Sequence, residues 1–297
     1  MTLYNQIDSN KRRSAILLGF FLVIVIALGW VISRVYNSPA ILYLAVIISL
    51  VQALISYYSG DKVALAVSGA QEIQKKDNPT LWNVVENLTI TSGLPMPKVY
   101  IINDPAPNAF ATGRDPEHSS LAVTTGLLDR MDKPELEGVV AHELSHVGNY
   151  DIRLMMIVVV LVGVIALISD LFIRIRFWFG GGDDNNNSGS GTMWLIIAIV
   201  AAILAPIIAT LVQLAISRKR EFLADSTGAL MTRYPSALAS ALEKIAGYKK
   251  PMQRVSSATS HLFISNPFGN AGSYFSRIFS THPPIQERIK NLREMEK

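Results

Sequence analysis

The sequence predicts an α+β fold, mostly helical with a small antiparallel sheet and carried on four transmembrane helices, and three observations lead to it. Half of the 297 residues are hydrophobic and only 17% are charged, against about a quarter charged in ordinary soluble domains. The excess gathers into four uncharged apolar stretches, residues 14–33, 38–60, 154–169 and 193–217. What remains, two polar blocks at roughly 61–153 and 218–297, reads as helix, then short strands, then several helices, the order of an α+β unit.

A bilayer core of about 30 Å needs about 20 helical residues, so each apolar stretch can cross once, the third only just. The first lacks a small-residue cleavage site and a second span follows at once, so it reads as retained rather than as a secretion signal. Lys11, Arg12 and Arg13 precede the first stretch, Lys62 follows the second, Arg153 precedes the third, and Arg218, Lys219 and Arg220 follow the fourth. The connections hold only Arg34, Arg174 and Arg176. By the positive-inside bias, the N-terminus and both polar blocks face the cytosol, with 34–38 and about 174–192 outside.

The expected organisation is therefore a cytosolic tail with two spans (1–60), a first part of a cytoplasmic domain (61–153), two further spans with an extracytoplasmic loop (154–217) and a second part of the domain (218–297). Residues 180–191, "GGGDDNNNSGSG", read as a flexible connection, and Asp170 as an i,i+4 partner of Arg174. The net charge of +4 marks orientation in a lipid bilayer rather than a nucleic-acid partner, because the basic residues sit at span ends. Without cysteine there is neither a disulfide framework nor thiol chemistry.

Within the polar blocks, residues 68–92 suggest helix broken near Pro79. "KVYIIN" (98–103) reads as a strand, and "NAFATG" (108–113) with "SLAVTTGLL" (120–128) as a hairpin closed by "RDPEHS". Asp132, Pro134 and Glu135 open a helix over 134–147. Residues 218–232, 235–247 and 284–296 have helical character.

Chemistry concentrates in His142-Glu143-Leu144-Ser145-His146. In H-E-x-x-H on a helix, imidazoles at i and i+4 share one face and can take adjacent corners of a zinc tetrahedron, with the intervening glutamate as general base. A catalytic zinc needs a third protein ligand, and His261, His282 and the acidic residues are the candidates. Glu221 and Asp225, one helical turn apart, lie on one face: Glu221 can bind the metal while Asp225 accepts the free N–H of a ligand histidine, His142 being the best placed. If all three ligands meet, both polar blocks lie on one side of the membrane, as the charge bias requires independently. The apolar run then begins four residues after "AHELSHVGNY" because the catalytic helix sits near the bilayer surface.

The combination of His142-Glu143-x-x-His146, Glu221-x-x-Ala224-Asp225, "NAFATGR", "HLFISNP" (261–267) and "THPPIQERI" resembles the M48 family of membrane zinc endopeptidases, and within it the heat-shock proteases. That resemblance covers most of the chain. It implies a gluzincin-type, zincin-like metalloprotease domain with one Zn2+ per chain, at the cytoplasmic face of the cell membrane. The implied substrates are unfolded or misassembled membrane proteins, in quality control and stress response. It also makes a site role available to His282, as oxyanion stabiliser or extra metal ligand; the residues alone equally allow a surface histidine. Asn108, Ala109, Phe110, Ala111, Thr112 and Gly113 could form an exposed edge strand that binds extended substrate by backbone hydrogen bonds, and an ordinary hairpin strand fits the same residues. His118 and His261 read as solvated or structural.

Two other classes fit less well. A structural zinc site is closed by four protein ligands and has no use for Glu143. A transporter places ionisable groups at mid-membrane, whereas these stretches are nearly free of charge.

Overall fold

A computed structural model describes residues 3–35, 37–161, 218–254, 256, 259–269 and 283–296. The chain opens with two long helices, α1 (Leu3–Val35) and α2 (Pro39–Ser68), packed side by side. Pro39 suits the first turn of α2, where its missing N–H leaves no acceptor unpaired, and Gly69 ends it at φ 68. Within α2, Leu42–Ser68 is long and apolar enough to cross a membrane. Its outward side chains, among them Tyr43, Leu44, Ile47, Leu50 and Leu54, are exposed, as a lipid-facing surface requires.

The other described residues are mostly helical around one small sheet: β1 (Ala70–Glu72), α3 (Pro79–Ser92), β2 (Lys98–Ile102), β3 (Ala109–Gly113), β4 (Ser119–Thr124), a short α4 (Thr125–Leu128) and α5 (Lys133–Gly148). Next come α6 (Asp151–Leu161), α7 (Arg218–Thr232), α8 (Pro235–Gly247) and α9 (Ile285–Glu294).

The sheet corrects two sequence expectations. Strand order is β1-β2-β4-β3, with β3 antiparallel to β4 as a hairpin but β4 parallel to β2, so the sheet is mixed rather than antiparallel. Residues 69–78 are not helix: after Gly69 the chain turns into β1, which pairs with β2, and α3 starts afresh at Pro79 with Asn78 Oδ1 accepting from Leu81 N.

α5 runs through the centre, buried from Leu136 to Val147 except at half-buried Glu137. β3 of the sheet, α3, α7 and α8 all pack against it, and their apolar faces form one core. Two glycines permit close helix approach. A Cβ on Gly138 of α5 would stand 2.9 Å from Leu238 N of α8, and one on Gly228 of α7 would stand 3.0 Å from His142 N.

After α5 the chain bends by 82° into α6, through Tyr150 at φ 59. The described part of the third apolar stretch, to Leu161, is buried, with Met156 and Val160 against Gly60 of α2. The remainder of that stretch, the glycine-rich connection, Asp170 and the fourth stretch lie outside the described residues.

Candidate metal centre

A reciprocal capping box fixes where α5 starts: Glu135 N donates to Asp132 Oδ1 and Asp132 N donates to Glu135 Oε2, each at 2.9 Å. Ser240 and Lys244 of α8 donate to the same Glu135 carboxylate. Burial pushes that carboxyl up, but the hydrogen bonds from Lys244, Ser240 and Asp132 hold it below the ordinary glutamate range. Two turns further on, His142 and His146 project from one face, their Nε2 atoms 3.3 Å apart.

The carboxylates come from α7. With Gly228 pressed on the backbone at His142, Asp225 and Glu221 fall one and two turns back on the same buried face. Glu221 Oε1 lies 3.6 Å from His146 Nε2, and its Oε2 lies 3.8 Å from His142 Nε2. One donor atom from each of the three residues lies within 4.8 Å of the others, and all three residues are buried.

These residues fit a bound metal ion on two grounds. Ligand atoms held about 2.0–2.2 Å from one tetrahedral ion stand about 3.3–3.6 Å apart; the two Nε2 atoms are 3.3 Å apart, and Glu221 turns one oxygen toward each, Oε1 at 3.6 Å from His146 and Oε2 at 3.8 Å from His142. The second ground is the donor chemistry. Asp225 Oδ1 lies 2.9 Å from His142 Nδ1 and Asp151 Oδ2 lies 3.0 Å from His146 Nδ1. Each carboxylate places the ring proton on Nδ1, so both Nε2 lone pairs face each other and Glu221. Three electron-rich groups converging in a buried site call for a cation.

Without an ion, the surrounding carboxylates favour a positive charge on the His146 ring itself, a charge that a bound cation would replace. Burial alone would push His146 down, yet the hydrogen bond to Asp151 and the charges of Glu221, Asp151 and Glu143 hold it up at about 9. Asp225, which burial would raise, is held down at about 2 by Arg288 and His142. Arg288 of α9 is buried and donates from Nε and Nη2 to the two Asp225 oxygens at 2.9 and 2.7 Å, and from Nη1 to Ile264 O at 3.2 Å. Its Nη2 is 3.4 and 3.3 Å from the two ring nitrogens of His142, so it lies across the ring rather than in line with one lone pair.

Glu143 is buried beside the cluster and its Oε2 accepts from Ala111 N of β3 at 2.9 Å. β3 is the edge of the sheet among the described residues. It is buried throughout rather than exposed, because the segment around Ile264 covers it. Ile264 N donates to Ala109 O, and Asn108 Nδ2 donates to Ser265 O. Phe110 packs edge-on against Phe263, and Thr112 is buried. Gly113 has φ 143, and a Cβ there would meet His118 O at 2.2 Å.

His282 lies outside the described residues. His261 is buried, its Nε2 3.2 Å from Met155 O, and exposed His118 pairs with Asp115. Sequence reasoning passed over Asp151 and Arg288. Arg288 stood in "THPPIQERI" and Asp151 five residues after His146, so both lay inside or beside segments already singled out.

Two imidazoles and a glutamate on one helix, completed by a carboxylate from a second helix, define the site as that of a metallopeptidase. The model of peptidase family M48 matches residues 75–296, and the chain belongs to that family. Proteins named protease HtpX homolog are similar along their length. That of Tropheryma whipplei (strain Twist) is 48% identical over 293 residues, covering 99% of this chain and 98% of the relative. That of Lactobacillus acidophilus is 46% identical over 300 residues, covering 99% and 100%. Among solved structures, the crystal structure of S. mikatae Ste24p is similar in fold, with a TM-score of 0.50 at 18% identity, over 92% of this chain and 62% of that one.

Proposed function

We propose that this protein is an integral-membrane zinc endopeptidase that hydrolyses internal peptide bonds of misfolded or damaged membrane proteins at the cytoplasmic face of the cell membrane. The observation that carries the reading is the convergence of His142, His146 and Glu221 in one buried cluster with Glu143 beside it. His142, His146 and Glu221 would hold the ion. When bound, it supplies a Lewis acid that lowers the pKa of water toward ~7 and polarises the scissile carbonyl.

Glu143 is the general base, taking the proton of the attacking water and delivering it to the leaving amine. The hydrogen bond from Ala111 N holds one of its oxygens, which orients the other. Asp225 and Asp151 keep the ring protons on Nδ1, and Arg288 keeps Asp225 ionised. Substrate lies along 108–113: since Ala109 and Asn108 are already paired with Ile264 and Ser265, an extended chain reaches the strand at its Ala111–Gly113 end. His282 serves as oxyanion stabiliser or extra ligand.

Support for the membrane placement comes from the apolar run of α2 and from the basic residues at the ends of the apolar stretches. The test is cleavage of an unfolded membrane protein by the purified protein in detergent, with and without a chelator, and by Glu143→Gln. Cleavage that needs metal and Glu143 supports the reading, and cleavage insensitive to the chelator removes it.

A further inference from the structure

Asn10, in the tail before the first apolar stretch, is fully buried although no chemistry has been assigned to it. Its Nδ2 donates to Asn149 O at 2.9 Å and to Asp151 Oδ1 at 2.7 Å. Both partners are acceptors, so the amide can face them only through its nitrogen. Asp151 divides its carboxylate: Oδ1 meets Asn10 and lies 3.4 Å from Arg220 Nε, while Oδ2 meets His146 Nδ1 at 3.0 Å. A continuous chain of contacts thus runs from α1 through Asp151 to a proposed metal ligand.

The neighbouring residue strengthens the grip. Lys11 Nζ lies 4.4 Å above the ring of Tyr150, the residue that takes φ 59 in the bend between α5 and α6. A side-chain-bearing residue holds that conformation only where its surroundings over-determine it. Asn10 and Lys11 therefore fasten Asn149, Tyr150 and Asp151 together, and it is this bend that aims the Asp151 carboxylate back at His146.

We propose that Asn10 is a positioning residue of the metal site, acting through Asp151 to hold the His146 ring with its Nε2 toward the ion. The N-terminal helix is then part of the metal centre as well as a membrane anchor. This rests on the reading of His142, His146 and Glu221 as ligands. Partners of metal-bound histidines typically change affinity about 10–100-fold when removed. Asn10 stands one step further out, and a loss of about 3–10-fold is expected of it, by scaling down from that range.

The experiment uses the full chain in detergent, stripped of metal and titrated with Zn2+ against a competing chelator. Wild type, Asn10→Ala, Asn10→Asp, Asp151→Ala and the Asn10→Ala/Asp151→Ala double variant are compared, each with its metal-free thermal midpoint. Asn10→Ala should weaken zinc about 3–10-fold and Asp151→Ala about 10–100-fold. The double variant should be no worse than Asp151→Ala alone, because the first effect passes through the second residue. Asn10→Asp, which faces an acceptor with another acceptor, should lose at least as much as Asn10→Ala, and the metal-free thermal midpoint of each variant separates a loss of zinc affinity from a loss of fold. The visible absorption of the Co2+-substituted protein should change in Asn10→Ala, reporting altered ligand geometry that a purely structural role would leave alone.

Wild-type zinc affinity in both Asn10 variants, or effects of Asn10→Ala and Asp151→Ala that multiply, would overturn the inference. Failure of wild type itself to bind zinc would instead overturn the ligand assignment on which it rests.

Discussion

Gly228 of α7 rests against the backbone of His142 on α5, so closely that a methyl group on it would stand 3.0 Å from His142 N and 3.2 Å from Ala141 C. This contact sets the distance between the helix bearing the two histidines and the helix bearing Glu221 and Asp225. Substituting Gly228→Ala should push α7 away by a few tenths of an ångström. Overpacking of this kind costs about 1–3 kcal/mol, and zinc affinity should fall with stability. Thermal unfolding and a zinc titration of the variant check this; a midpoint and affinity equal to wild type would show that the helices do not depend on that contact.

Glu143→Gln keeps an acceptor for Ala111 N–H and the same volume, so the cluster should keep its shape. Peptide hydrolysis should fall by about 10²–10⁴-fold, the usual contribution of a positioned general base, with zinc content unchanged. Parallel measurement of metal per chain and of cleavage rate separates this result from simple loss of the metal.

Arg288 and Arg293 sit on the same helix and invite a direct contrast. Arg288 is 1% exposed at the side chain and is paired with Asp225, whereas the Arg293–Glu243 pair is 59% and 43% exposed. Arg288→Met leaves a buried carboxylate without its cation, a change that costs about 3–5 kcal/mol. Arg293→Met removes a solvated pair worth about 0–1 kcal/mol. Thermal midpoints of the two variants should differ accordingly, and equal shifts would count against Arg288 as a buried clamp.

The Glu135 carboxyl is held below the ordinary glutamate value of 4.5 by Lys244, Ser240 and Asp132, against the opposing effect of burial. A group whose pKa is depressed in the folded state adds stability above its unfolded pKa and loses it as pH falls through the folded value. The stability difference between wild type and Glu135→Gln should therefore be level from neutral pH to about 5 and shrink below about 4.5. Midpoints measured across that window test it, and a difference that grows on acidification would reverse the assigned sign.

Much of this site was legible because helices make spacing informative. His142 and His146, and likewise Glu221 and Asp225, share faces by the 3.6-residue period alone. Asp151 was not legible in that way: it reaches His146 across a bend in which Tyr150 takes positive φ, where no period applies. Arg288 arrives from a third helix far along the chain, and sequence spacing says nothing about such a meeting.

The sheet shows the same division. Local order suggested the β3–β4 hairpin but could not reveal that β4 inserts beside β2 in parallel, nor that three residues with as little strand propensity as Ala70, Gln71 and Glu72 would pair as a strand. Exposure of β3 was misjudged because its cover, Ile264 and Ser265, lies some 150 residues later in the chain.

The claim beneath all of these is that His142, His146 and Glu221 meet on a single ion. Zinc K-edge X-ray absorption of the purified protein, compared with Glu221→Ala, tests it most directly. The account predicts one zinc per chain with two imidazole nitrogens and a carboxylate oxygen at about 2.0–2.2 Å, and loss of affinity together with a changed ligand set in the variant. Zinc bound with the same affinity and the same ligand set in Glu221→Ala would contradict it.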